Sequence, residues 1–311
     1  MNGQADRLRA LMERAQAVPP TNPVEAGRRP TVTLAVASGK GGVGKSHVAV
    51  GLAGAFSALG RRTVLIDADL GFANADVLLG IRPQATLADV AAGRSPLSAA
   101  VTPVAGGFDL LAGIGGADVR EADDERRLVD RLIAALEAVD RPYDVALFDL
   151  GAGLGAGARA LLLAVDRVLL VLSTEAAALV DAYGLYKWLV QAGQAAVFVV
   201  PNRVPDEAAG RRLAERFGDI AEHFLGRRPE LLGVVREDDV IARAARQGVP
   251  PFPLPERSRA RRDFAGLAVR LVARAGGKDP DRSAGAPAPP AAAGRPFGAL
   301  VARLKARLFS S

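Results

Sequence analysis

Two lysines, a hydroxyl and three carboxylates stand at spacings that suit phosphate and magnesium chemistry: Lys40, Lys45, Ser46, Asp67, Asp69 and Asp149. The first three belong to Gly39-Lys40-Gly41-Gly42-Val43-Gly44-Lys45-Ser46, whose glycines let backbone N–H groups converge on an anion. A helix-like run begins at His47, and a helix N-terminus adds further unsatisfied N–H groups. Gly39, Gly41, Gly42, Val43, Gly44, Lys45, Ser46 and His47 therefore form a candidate cradle. In it Lys45 meets the β- and γ-phosphates of a nucleoside triphosphate and Ser46 holds Mg²⁺. Gly39, Gly41 and Gly44 also satisfy the dinucleotide spacing G-x-G-x-x-G, with Asp67 about where a ribose-binding acid would be. Lys45-Ser46 favours the triphosphate, because a dinucleotide needs neither group at the start of the helix.

The acids follow apolar runs. Residues 63–66 lead into Asp67-Ala68-Asp69, and Val145-Ala146-Leu147-Phe148 leads into Asp149. In an open parallel sheet ligands sit outside the carboxyl ends of the strands, so these acids fall beside the phosphates. Asp69 is the candidate for orienting a water, and Asp67 and Asp149 for holding Mg²⁺ directly or through water. Gly151, Gly153, Gly155 and Gly157 follow Asp149, a composition suited to a loop that moves when a γ-phosphate arrives.

The elements that must place these groups read as alternating apolar strands and longer helical patterns. Strands are expected near residues 32–37, 63–66, 109–112, 145–148, 167–172, 196–200 and 231–235. Several lack polar alternation, as strands buried on both faces do. The fold class is α/β: a doubly wound, mostly parallel sheet flanked by helices, joined by right-handed βαβ units.

Composition bounds the rest. The 311 residues are 50% hydrophobic and 24% charged, with no cysteine, which excludes disulfides and thiolate metal sites. No apolar run approaches the roughly 18 residues needed to span a bilayer, and the N-terminus lacks a signal-peptide core, so a cytoplasmic protein is expected. Net charge is +6, and residues 295–311 carry Arg295, Arg303, Lys305 and Arg307 with no acid. The remainder is near balance, which argues against DNA as a general partner despite Arg257, Arg259, Arg261 and Arg262.

Four segments are expected: 1–30, a short helix and linker; 31–275, the nucleotide-binding domain; 276–294, a Pro/Ala-rich linker; and 295–311, an amphipathic helix. In the last, Phe297, Leu300, Val301, Leu304 and Leu308 form one stripe flanked by Arg303, Lys305 and Arg307. That arrangement fits an anionic membrane surface. A helix packed on the domain or on a second copy is the competing reading, which the long tether disfavours.

Lys40-Gly41-Gly42-Val43-Gly44-Lys45-Ser46 resembles the deviant Walker A motif of the MinD/ParA ATPases, P-loop NTPases of the SIMIBI type, and the resemblance covers roughly residues 31–273. It implies ATP and Mg²⁺ as ligands, ATP hydrolysis, and an ATP-dependent homodimer in which Lys40 reaches the partner's phosphates. Within that group residues 67–80, Ser173-Thr174-Glu175 and residues 180–187 resemble segments of the FlhG (FleN, YlxH) family, which controls flagellar number and placement. Asn202, at a strand end, is similar to the asparagine that reads adenine. Gln4-Ala5 and Leu8-Arg9 resemble that family's N-terminal motif for stimulating an FlhF-type GTPase, although Gly3 replaces its acid. Partners implied by resemblance are the FlhF-type GTPase, flagellar C-ring proteins and possible transcription regulators. His47, Ser173-Thr174 and Leu150 depart from the family pattern without removing a phosphate or metal ligand. The alternatives are a segregation or division-positioning ATPase and a weakly hydrolysing nucleotide-binding adaptor.

Overall fold

A computed structural model describes residues 31–69, 75–113, 125–139, 142–151, 155–275 and 297–309. The N-terminal motif around Gln4, residues 70–74 after Asp69 and the linker 276–294 lie outside these. In chain order the strands are β1 (Val32–Ala37), β2 (Thr63–Ala68), β3 (Val101–Pro103), β4 (Asp109–Leu111), β5 (Val145–Leu150), β6 (Arg167–Leu172), β7 (Val197–Val204), β8 (Glu230–Leu231) and β9 (Val235–Arg236). The helices are α1 (Lys45–Ala58), α2 (Ala75–Leu79), α3 (Leu87–Ala91), α4 (Leu97–Ala100), α5 (Glu125–Ala138), α6 (Ala156–Ala164), α7 (Ala176–Gln191), α8 (Glu207–Leu225), α9 (Asp239–Gln247), α10 (Arg259–Ala275) and α11 (Gly298–Phe309).

The sheet runs β3-β4-β2-β5-β1-β6-β7-β8, with β9 also paired to β7. Only β3 is antiparallel to its neighbour among the described strands. The expected doubly wound parallel sheet is therefore present. Its central strands β2, β5 and β6 are buried along their whole length, which is why their sequences show no polar alternation. Successive side chains serve opposite faces: Ala35 and Ala37 join one core and Leu34 and Val36 the other. The first core holds α5, α6, α7, α8 and α11 against the sheet. The second holds α1 and α10, which approach closely because Gly51 leaves room for the Phe264 ring.

Four strand expectations change: the strand expected at 196–200 is β7, Val197–Val204, so Asn202 lies inside it. β2 and β5 each run past their apolar stretch, so Asp67, Asp149 and Leu150 lie inside strands rather than after them. The single strand expected at 231–235 is two short strands, β8 and β9, interrupted around Gly233. β3 was not anticipated: three residues ending in Pro103 pair with β4 at the sheet edge, where proline's missing N–H is tolerated.

The largest change concerns α11. Its stripe is docked on the domain against α6 and α5, with Phe297, Leu300 and Leu304 at 1% exposure or less. Arg303 donates to the Ala164 carbonyl and pairs with Asp166 (3.1 Å), and Lys305 pairs with Glu137 (2.7 Å). The expectation that the tether disfavours packing on the domain is corrected. The groove between α5 and α6 complements both the stripe and two of its flanking cations.

Candidate nucleotide site

β1 ends at Ala37 and α1 begins at Lys45, so residues 38–44 form the loop between them. Gly42 (φ 80°) and Gly44 (φ 91°) take left-handed conformations that other residues adopt at a cost. Gly44 is the N-cap of α1, and no side chain caps that end. The helix therefore points an uncapped N-terminus at the loop. Gly39 is fixed by a different constraint. A Cβ there would overlap the backbone of Asp181 and Ala182 in α7, so the loop lies directly on that helix.

β1, β5 and β2 are neighbours, and their register aligns Val36 with Asp149 and Asp149 with Asp67. The phosphate loop and both acids thus meet at one edge of the sheet. Asp149 is 2% exposed, and its Oδ1 is buried without a hydrogen-bond partner. Burial, with the charges of Asp67 and Asp69, pushes its carboxyl up to about 7 against a hydrogen bond from Ser46 and the charge of Lys45. An orphaned buried carboxylate oxygen beside a serine hydroxyl fits a divalent cation that takes its other ligands from water and phosphate, since no described group of three or more acids or histidines is placed to hold a metal by itself. Lys45 is buried and its ammonium is pulled below its usual value by desolvation, with Asp149 and Asp69 opposing that shift.

Asp67 has a structural task as well. Its carboxylate accepts from the backbone N–H of Asp69 (3.2 Å) and of Ala75 (3.1 Å), which ties the start of α2 to the site. Asp69 packs so closely on Gly151 that a Cβ at 151 would overlap its carboxylate. The residue expected to orient water therefore touches the loop that follows Asp149.

On the other flank, Asn202 donates from Nδ2 to the Val43 carbonyl (2.8 Å), and Arg203, at φ 56°, donates to the Gly42 carbonyl (3.4 Å). The end of β7 thus braces the phosphate loop. The His47 ring lies 6.1 Å from that of Phe252, and burial together with Arg203 lowers its pKa. Lys40 is not free in this state: its Nζ is 3.3 Å from Glu175 Oε2 of the same chain, both side chains being largely solvated.

The structure gathers Gly39, Gly41, Gly42, Val43, Gly44, Lys45, Ser46, Asp67, Asp69, Asp149 and Asn202 around one edge, with His47 in the first turn of α1 beside Ser46. Sequence reasoning placed Gly151 in a mobile loop without its contact to Asp69, and assigned no role to Arg203, Pro250 or Phe252. Arg203 carried one signal, its place directly after Asn202. Phe252 stands between two prolines, a context that says loop but not which neighbour the ring will meet.

A glycine-rich loop between a central parallel strand and an uncapped helix, with acids ending the neighbouring strands, defines a P-loop nucleotide-binding protein. The class is narrowed by similarity: residues 34–252 match the CobQ/CobB/MinD/ParA nucleotide binding domain, and the chain belongs to that family. Members of its MinD/ParA branch are ATPases, and this chain is one. It is 34% identical over 243 residues to the antiactivator FleN of Pseudomonas aeruginosa, covering 78% of this chain and 86% of FleN. With the flagellum site-determining protein YlxH of Helicobacter pylori it shares 28% identity, over 79% of this chain and 82% of YlxH. Among solved structures, the septum site-determining protein MinD of Pyrococcus horikoshii, complexed with Mg-ADP, superposes with a TM-score of 0.61 at 28% identity, covering 79% and 98% of the two chains.

Proposed function

We propose that this protein is a membrane-associated ATPase switch that controls flagellar number or placement, cycling between a resting monomer and an ATP-bound dimer. The observation that carries the nucleotide part is the orphaned Asp149 oxygen beside Ser46 and Lys45 at the end of three adjacent strands. Ser46 and Asp149, with Asp67 beside them, hold Mg²⁺. The backbone of residues 39–46 and the Lys45 ammonium hold the phosphates, and Asn202 lies toward the base. Bound Mg²⁺ supplies neutralisation of β- and γ-phosphate charge. Asp69 accepts a hydrogen bond from the attacking water and orients it. Positioning supplies most of the rate in phosphoryl transfer, so turnover stays slow until a partner fixes the loops around Asp69 and Gly151.

Lys40 leaves Glu175 and crosses to the phosphates of a second copy. Little opposes that exchange, since an exposed ion pair contributes only about 0–1 kcal/mol. The docked helix α11 is the output. Burial of its four or five large apolar side chains is worth roughly 6–15 kcal/mol in either the groove or a bilayer interface, so the two sites are closely matched. Small terms then decide. Docking adds the Arg303 and Lys305 ion pairs, whereas anionic lipid adds about 1 kcal/mol per basic residue near it. One helix stays docked; two on a dimer gain from intramolecular insertion and move to the membrane.

The flagellar role rests on the likeness to FleN and YlxH. An FlhF-type GTPase and C-ring proteins are the partners it suggests. DNA is disfavoured because Arg257 and Arg259 share a cleft with Glu237 and Asp239, which offset their charge. The test is ATP turnover and dimer mass for wild type and Asp69→Ala. The variant should retain ATP binding and dimer formation while turnover falls about 100-fold or more. Equal turnover removes Asp69 from the chemistry, and no turnover by wild type even with lipid and partner favours an adaptor. Deleting the gene in its own organism should alter the number or placement of flagella.

A further inference from the structure

The helix α2 is held at its start by an acid of the nucleotide site and at its end by a loop from elsewhere in the chain. At its start, Asp67 accepts from the Ala75 N–H (3.1 Å). At its end, Gly80 takes φ 64° and closes a C-terminal cap in which its N–H donates to Val77 and that of Ile81 to Asp76. Gly80 also meets another element. A Cβ on it would lie 2.6 Å from Pro250 Cγ, so residue 80 and the loop 249–255 are in direct contact. Two residues further along that loop the buried Phe252 ring lies against His47, which follows Ser46 in α1. The loop therefore bridges the first turn of α1, on the side braced by Asn202 and Arg203, to the far end of α2.

We propose that the loop 249–255 is a strap through which filling of the nucleobase pocket tightens α2: Phe252 rests on His47 at the base side, and Pro250 bears on Gly80. The proposal rests on the nucleotide reading above and deepens it by making Pro250, Phe252 and Gly80 positioning residues for the segment that begins at Asp67. A ligand with phosphates but no base fills the cradle and leaves the strap loose. A complete nucleotide seats Phe252, presses Pro250 onto Gly80 and stiffens α2 from its C-terminal end, while Asp67 holds the other end. Base fit is in this way read by the same segment that reads the metal and the phosphates.

The experiment is hydrogen–deuterium exchange on the full-length chain with Mg-ADP and with Mg-pyrophosphate, each at saturation. Neither carries a γ-phosphate, so dimer formation does not enter. Both ligands should slow exchange in residues 39–46. Only Mg-ADP should slow it in residues 75–81, by about fivefold or more, the scale of one added stabilising contact. In Pro250→Ala, whose side chain is exposed in a loop, Mg-ADP should still protect 39–46 and lose its protection of 75–81. Phe252→Leu should weaken the same coupling from the other end. Equal protection of 75–81 by the two ligands overturns the strap, as does a Pro250→Ala variant that responds like wild type. If neither ligand protects 39–46 in wild type, the nucleotide reading itself falls, and the strap with it.

Discussion

Asp149 shows how a strand can prepare an ordinary acid for the metal role proposed for it. β5 carries it into the sheet edge, where burial and two neighbouring acids raise its carboxyl to about 7. The folded-state value lies above the unfolded one, so charging this group opposes folding, and stability from it is lost as pH rises from about 4 through about 7. Mg²⁺ must displace the proton below that upper value. In calorimetric titrations with ADP present, apparent Mg²⁺ affinity should therefore rise about tenfold per pH unit up to about 7 and level off above it. Asp149→Asn should bind Mg²⁺ weakly and lose this dependence; a flat profile in wild type would remove Asp149 from the metal site. Lys40 makes the opposite point, since its partner in this state is Glu175 and its proposed target lies on another copy. Lys40→Ala should bind ATP within a few-fold of wild type and remain monomeric at ATP concentrations that dimerise wild type, as read by sedimentation velocity. The residues of this site were legible because their spacing is local: a motif of eight residues, 39–46, and acids near strand ends specify themselves. Asp67 was half legible. Its site position could be read, but its capping of Ala75 depends on where the chain returns after residues 70–74.

At the scale of elements, the sheet was legible because a strand buried on both faces must be almost continuously apolar, as 64–66, 145–148 and 168–172 are. The split at Gly233 and the antiparallel edge strand β3 were not, since two- and three-residue strands leave too few positions for a period to show. The docking of α11 was hidden for a physical reason. Five apolar residues at helical spacing look the same whether they face lipid or a groove, and the groove here is built by α5 and α6, more than 130 residues earlier. Glu137 distinguishes the two: it meets Lys305 from the groove side at 2.7 Å. Glu137→Lys should replace that attraction with repulsion and leave the tail unaltered. Amides of α11 should then exchange about three- to fivefold faster, consistent with roughly 1 kcal/mol for a partly exposed pair. Unchanged exchange would show that the apolar stripe alone determines docking.

For the whole molecule, the two faces of the sheet carry different tasks. One face packs α1 and α10 beneath the phosphate loop; the other holds α6, which follows the glycine-rich loop after Asp149, and on it lies α11. A movement that starts at Asp69 and Gly151 therefore has a short route to the docked helix, because α6 begins at Ala156 and α11 rests on it. No described helix is long and apolar enough to cross a membrane; in the proposed cycle, attachment depends on release of α11. The most direct measurement is co-sedimentation of the full-length protein with anionic liposomes without nucleotide, with Mg-ADP, and with Mg-ATP, using Asp69→Ala to hold the ATP state. The account predicts pelleting with Mg-ATP at least about tenfold above the other two conditions, the gain expected from pairing two weak insertions on one dimer. Equal pelleting in all three conditions would contradict it.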